Sequence, residues 1–211
     1  MTSGGCGDAP KRRGRPPAQS SEDTRDRVLR AARVCFGEAG YAQTSMADIA
    51  QVAGVTPRAI YHYVDSKAEL FGQAAAAAYS RFFAEIADRV FHYEKARERL
   101  KGFIDVFRSL YQEDPSVVAF ISLAVIEASR NPELEDFMPS HSWTMSPNEI
   151  LVQQAMERGE MAEGIDPGGA VALLDVFGAG LTLVATADRG AAYLAMLDVI
   201  DRLIDGALFV D

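Results

Sequence analysis

Residues 40–70 read GYAQTSMADIAQVAGVTPRAIYHYVDSKAEL, and this stretch decides the fold. Ser45 and Asp48 are spaced as a capping box, in which each side chain satisfies a backbone N–H of the other residue. Ile49, Ala50 and Ala53 follow at helical spacing, and Gly54 supplies a stop. Thr56 then stands as an N-cap before Pro57, which at a first helical position loses nothing by lacking an N–H. Ser66 and Glu69 mark a third helix start. The spacing predicts a helix over 45–53, a turn at Gly54-Val55, and a second helix over 57–63. That is the helix-turn-helix arrangement, whose second helix enters the DNA major groove.

Working outward, Ser20 to Asp23 is another box, and Val28, Ala32, Cys35, Phe36 and Ala39 recur at helical spacing up to Gly40. On the other side a long helix is expected over 67–90, helped by the alanine run from Ala74 to Ala78. The chain has 211 residues, 48% of them apolar and 24% charged, which fits a soluble globular protein. Its net charge of −9 excludes a uniformly basic, histone-like binder. The charge is nevertheless divided. The first 67 residues carry ten Lys or Arg against seven Asp or Glu, a net +3; the remainder carries eleven against 23, a net −12. A basic front joined to an acidic body points to two tasks in one chain.

Gly40-Tyr41, Thr44-Ser45-Met46-Ala47-Asp48-Ile49-Ala50, Ala53-Gly54-Val55-Thr56 and the run from Ile60 to Leu70 together resemble the DNA-binding domain of TetR-type transcriptional regulators. The resemblance spans residues 28–71; beyond it only Glu157-Arg158-Gly159-Glu160 and Asp166-Pro167 match, loosely. It implies an all-α chain: an N-terminal three-helix helix-turn-helix DNA-binding domain, then a C-terminal helical domain for ligand binding and dimerisation. The boundaries expected are 1–20 for a disordered basic arm, 21–67 for the DNA reader and 68–211 for the body.

Thr56, Pro57, Arg58 and Ala59 open the recognition helix, the end that meets base edges. Arg58 suits a bidentate contact to guanine, and Ala59 a thymine methyl. Tyr61, His62, Tyr63 and Lys67 are candidates for the phosphate backbone, as are Thr44 and Ser45 at the preceding helix start. The family pattern places an aromatic where His62 stands and a histidine where Tyr63 stands; here the two are exchanged. The competing readings are core packing for Tyr61 and a solvated charge for Arg58. The arm Lys11-Arg12-Arg13-Gly14-Arg15-Pro16-Pro17 resembles an AT-hook core, and Arg12, Arg13 and Arg15 fit a narrow A·T minor groove. A solubilising tail is the alternative.

In the body, Phe103, Phe107 and Tyr111 recur at helical spacing, as do Phe120 and Val125. Phe137 and Trp143 flank an irregular Pro-containing stretch over 131–147, where a lid can sit, and Phe177 lies on a later apolar helix. These eight are the candidate ligand-binding residues; plain core is the competing reading for each. Arg108, Glu127 and Arg130 are candidate polar contacts. The resemblance implies a small effector, and the residue types imply a hydrophobic one. The last two apolar helices, expected over 167–187 and 191–209, fit a homodimer interface with two-fold symmetry and a palindromic double-stranded DNA operator.

An enzyme is not expected. The three histidines, His62, His92 and His141, lack metal-ligand spacing, no phosphate-cradling glycine loop or serine elbow occurs, and Cys35 reads as core. No cofactor or metal is expected. Two cysteines and no apolar leader point to the bacterial cytoplasm, without membrane association. The alternative function is a helical small-molecule-binding or adaptor protein with a vestigial DNA-binding domain.

Overall fold

Gly40 adopts φ 76°, a left-handed value that glycine reaches without a Cβ penalty, and here the first helix breaks. In the computed structural model, which describes residues 18–138, 146–187 and 190–206, α1 (Ala18–Gln43) kinks at this glycine and closes with one further turn. It begins before Ser20, so Ser20 lies inside the helix rather than at its cap. The other elements are α2 (Met46–Ala53), α3 (Pro57–Ile60), α4 (Lys67–Arg89), α5 (Ala96–Glu113), α6 (Pro115–Arg130), a 3-10 helix (Pro132–Phe137), α7 (Pro147–Glu157), α8 (Pro167–Ala185) and α9 (Ala191–Ile204). Every regular element among the described residues is helical, so the chain is all-α.

Most expected starts and stops occur where the sequence puts them. The Ser66 start differs in detail. Its hydroxyl accepts the Glu69 N–H at 3.0 Å, but the Glu69 carboxylate reaches back to the Asp65 N–H at 2.7 Å, one residue beyond a capping box. The stretch over 131–147, expected to be irregular, contains the 3-10 helix; its residues 139–145 lie outside the described residues.

The core explains how the two halves are held. Val28, Ala32 and Phe36 of α1, Ile49 and Ala53 of α2, Ile60 of α3 and Leu70 and Phe71 of α4 are all buried together. This cluster does not end at residue 67. The Phe71 ring lies 5.1 Å from Phe36 and 5.1 Å from Phe120, so α1, α4 and α6 share one aromatic core. Phe120 is thereby fixed in that core, and α6 packs against α1, α4, α5 and α8. Aromatic contacts of this kind favour tilted or edge-on rings, which these are.

Gly72 marks the tightest approach. A Cβ there would lie 2.6 Å from the Phe137 Cβ and would also press on the Phe137 carbonyl, a backbone group with little room to yield. Alanine would gain about 1 kcal/mol of helix propensity at this position. Overpacking costs about 1–3 kcal/mol, and a clash with backbone belongs at the upper end. Gly72→Ala is therefore expected to lower stability by about 1–2 kcal/mol. Denaturant unfolding measures it, and a variant as stable as the parent would contradict this packing.

Candidate nucleic-acid interface and ligand cavity

The reader is built on capped, short helices. The Ser45 hydroxyl accepts the Asp48 N–H at 3.2 Å, and the Asp48 carboxylate accepts the Ser45 N–H at 3.0 Å. These bonds, the Ser45 hydroxyl first and then its backbone N–H, hold the Asp48 carboxyl below the usual carboxylate range. Gly54 ends α2 at φ 66°, ψ 38°, and the Val55 N–H returns to the Ala50 carbonyl at 3.0 Å. The Thr56 hydroxyl then accepts the Ala59 N–H at 3.2 Å and starts α3.

The α-helical part of α3 is shorter than 57–63. It ends at Ile60, and Tyr61, His62 and Tyr63 form a turn closed by the Tyr63 N–H on the Ile60 carbonyl at 2.8 Å. Ile60 is the helix's one fully buried residue and anchors it. Thr56, Pro57 and Arg58 are exposed side by side, and Ala59 is half-buried. Arg58 has no ion-pair partner among the described residues. Tyr61 is 51% exposed, which excludes the core reading; His62 is exposed and Tyr63 half-buried.

Two candidate contacts are corrected. Thr44 is buried; its hydroxyl donates toward the Gly40 carbonyl at 2.8 Å and the Cys35 carbonyl at 3.0 Å, and its N–H bonds Gly40 as well. It closes the broken end of α1 and has no donor left for phosphate. The Lys67 ammonium donates to the carbonyls of Tyr41 at 2.9 Å and Thr44 at 3.1 Å and sits 4.4 Å from the centre of the Tyr41 ring. A cation is favourable at a helix C-terminus, so Lys67 ties α4 to α1 instead of reaching outward. Ser45 is exposed, yet its hydroxyl and N–H are engaged by Asp48. Arg12, Arg13 and Arg15 lie outside the described residues.

A cavity of about 680 Å³ opens among α4, α5, α6 and α8. Phe103, Phe107 and Val125 line it, as expected. Three other candidates do not. Tyr111 is stacked on Tyr193, ring centres 4.1 Å apart, and its hydroxyl accepts the Gly190 N–H, so it joins α5 to α9. Phe120 belongs to the core, and Phe137 packs at Gly72. Phe177 faces a separate cavity of about 230 Å³ with Leu100, Leu174 and Ile204. Trp143 lies outside the described residues.

Phe82, Phe83 and Ile86 of α4 also line the larger cavity, and the sequence reading missed them. Their spacing was visible beyond the alanine run, which was read for helix propensity alone. The candidate polar contacts fail too. Arg108 is bound by Asp198 at 2.6 Å and by Asp201; Glu127 pairs with Asn131 at 3.0 Å; Arg130 is exposed, and none of the three lines the cavity. Its polar groups are instead Ser122 beside Thr182, whose hydroxyls are bonded, and Asn148 bonded to Asp175 at 2.8 Å, with Ser146 nearby.

α8 and α9 also expose large apolar side chains: Val176, at the edge of the larger cavity, at 71%, Leu173 and Leu203, beside the smaller one, at 67% and about half, and Val199 at about half. By length and composition alone α8 is long and apolar enough to cross a membrane, and 17% of that apolar stretch is buried within the chain. Among the described residues no group of three or more His, Cys, Asp or Glu is placed to hold a metal.

A capped helix pair with an exposed second N-terminus, carried on a helical body, defines a helix-turn-helix protein. Residues 28–74 match the family described as bacterial regulatory proteins, tetR family. TtgR, a transcriptional regulator of Pseudomonas putida, is 44% identical over 52 residues; the match spans 25% of each chain, so the chain aligns with a quarter of that relative's length. Two solved structures share the fold. KstR2, a ketosteroid transcriptional regulator of Mycobacterium tuberculosis, superposes with a TM-score of 0.67 at 20% identity, covering 94% of this chain and 98% of that one. FadR from Bacillus subtilis, in complex with stearoyl-CoA, has a TM-score of 0.67 at 18% identity, covering 87% and 99%. Residues 28–74 therefore carry the sequence pattern of the tetR-family segment, and the chain as a whole shares its fold with these two solved structures.

Proposed function

We propose that this protein is a ligand-responsive transcriptional repressor of a bacterial cytoplasm. It binds a palindromic operator as a homodimer, and a small hydrophobic effector releases it. The observation that carries this reading is the exposed row Thr56-Pro57-Arg58, held at a capped helix N-terminus with Ile60 buried beneath it. The domain plan is an arm over 1–20, a reader over 21–67 and a body over 68–211, with Arg12, Arg13 and Arg15 of the arm following the adjacent minor groove. Tyr61, His62 and Tyr63 face the phosphates.

A second copy of the chain covers α8 and α9. A bilayer is the poorer cover, because Asp175 stands in the middle of α8 and a carboxylate at bilayer depth costs about 2.5–3.5 kcal/mol. Two-fold pairing places two recognition helices about 34–36 Å apart, one turn of DNA. The effector occupies the cavity lined by Phe82, Phe103 and Phe107; a hydrophobic ligand fits the regulators of similar fold, one bound to stearoyl-CoA and one named for ketosteroids. Since α4 runs from that cavity to Lys67, which grips α1, a ligand that moves α4 changes the placement of the reader. No enzymatic step is assigned.

Fluorescence anisotropy against the DNA upstream of the protein's own gene tests the reading. Arg58→Ala removes one contact from each half-site and is expected to weaken that complex by about 1–3 kcal/mol per half-site, roughly 30-fold or more in all, while affinity for unrelated DNA changes little. Equal losses on both DNAs would make Arg58 a phosphate contact, and no operator complex in the parent would overturn the proposal.

A further inference from the structure

The charge lining the larger cavity has one sign, whereas its neutral polar groups offer both senses of hydrogen bond: Asn148 has a second N–H beyond the one given to Asp175, and the Ser146 hydroxyl, which accepts the Glu149 N–H, can also donate. Of the described residues that line it, Asp175 is the one acidic side chain, and no Lys, Arg or His is among them. Two cations of the surrounding helices are committed elsewhere, Arg108 to the carboxylates of α9 and Arg89 to Glu85 at 2.8 Å, and Arg130, one turn beyond Ile126 on α6, is exposed and does not line the cavity. The hydroxyl pair is spent as a donor. Thr182 donates to the Ala179 carbonyl at 3.0 Å, so Ser122 donates to Thr182, and what the Ser122 oxygen still offers is acceptor capacity. Asp175 accepts one bond from Asn148 at 2.8 Å, which orients the carboxylate and leaves further lone pairs open. The rest of the wall is apolar, chiefly phenylalanine, isoleucine and glycine.

An anionic head group in this cavity would lose water, meet Asp175 and find no cation among the described residues. A donor-bearing cation would meet both acceptors. We propose that the effector is a cationic amphiphile, an ammonium carrying N–H donors on a hydrophobic body, with its head at Asp175 and its apolar part against Phe82, Phe103 and Phe107. This rests on the reading of the cavity as the effector site. Asp175 is exposed at the rim, so the selection has the strength of a partly solvated ion pair.

Three ligands with one apolar body separate the alternatives: decylammonium, 1-decanol and decanoate. Each is titrated calorimetrically, below its micelle threshold, into the full-length protein without DNA, with helicity followed by circular dichroism. Decylammonium is expected to bind about fivefold tighter than decanol, and decanoate weakest. Asp175→Asn is expected to bring decylammonium to the affinity of decanol and leave decanol unchanged; Asp175→Lys should favour decanoate. The chain's net charge of −9 attracts cations in general, an effect that salt screens and that Asp175→Asn leaves in place, so titrations are made at high salt and a decylammonium preference undiminished in Asp175→Asn overturns the assignment. So does decanoate binding as tightly as decylammonium. If decanol binds while the head-group order fails, only the cationic assignment falls. If none of the three binds, the cavity is not a site for hydrophobic effectors and both readings fall.

Discussion

Val199→Arg is expected to yield a folded monomer that has lost operator binding. Val199 is 49% exposed on α9, lines neither cavity and belongs to the same apolar face as Leu203. Within one chain the change touches little, and exposed substitutions of this kind stay within about 0.5 kcal/mol. In a two-fold dimer the effect is different. The substitution occurs twice across the axis, and each arginine must leave water without a partner, at several kcal/mol per ion. At about 1.4 kcal/mol per tenfold, a loss of even 4 kcal/mol weakens dimerisation by roughly a thousandfold. Operator affinity follows, because half-site binding by one reader lacks the second set of phosphate and base contacts. Light scattering at micromolar concentration should give about 23 kDa in place of the dimer mass, given a chain of 22.9 kDa. A parent that is already monomeric, or a variant that still dimerises and binds the operator, would remove α8 and α9 from the interface.

What the sequence disclosed follows a physical division. Caps are local: Ser45 with Asp48, Gly54, and Thr56 before Pro57 satisfy backbone groups within three or four residues, so their chemistry could be read without the fold. The length of α3 was less legible: it ends at Ile60, and Tyr61 to Tyr63 form a turn whose His62 and Tyr63 N–H groups return to the Ala59 and Ile60 carbonyls. Thr44 and Lys67 were misread as well. Both were placed as outward-facing donors at helix starts, and both turn to the broken end of α1, a contact that depends on chain reversal at Gly40. The cavity shows the limit most clearly. Helical spacing marks Phe107 and Phe120 alike as inward residues. Only the arrangement of α4 and α6 decides that one borders a cavity and the other meets Phe71. The divided charge remains informative: the acidic surplus lies in the body, away from the exposed row at Arg58.

The junction between the two halves contains a second large effect, in a pair the sequence did not single out. Arg33 of α1 is 8% exposed; its guanidinium donates to the Asp114 carboxylate at 2.8 Å and to the Ser116 hydroxyl at 3.0 Å. Asp114 also caps α6 by accepting the Ser116 N–H. Burial would raise the Asp114 carboxyl, but the Ser116 hydrogen bonds and the Arg33 and Arg30 guanidinium groups together hold it below the usual range. Arg30, 61% exposed and 3.5 Å away, contributes little. Asp114→Ala strands a buried cation and removes a cap, and a loss of about 3–5 kcal/mol is expected. In a chain of this size that lowers Tm by about 6–20 °C. Asp114→Asn keeps the cap and should lose less. Combining it with Arg33→Met, which removes the stranded charge, should recover part of the loss, since buried ion pairs are often replaceable by apolar groups. The pH dependence has a defined sign. A carboxyl held low in the folded state contributes its full stability above its unfolded pKa of about 3.9 and loses it as pH falls through the folded value. The parent should therefore show an acid-side decline in stability that Asp114→Asn flattens. Urea unfolding between pH 3 and 7 measures both; an unchanged acid slope in Asp114→Asn would show that this pair does not hold α1 to the body.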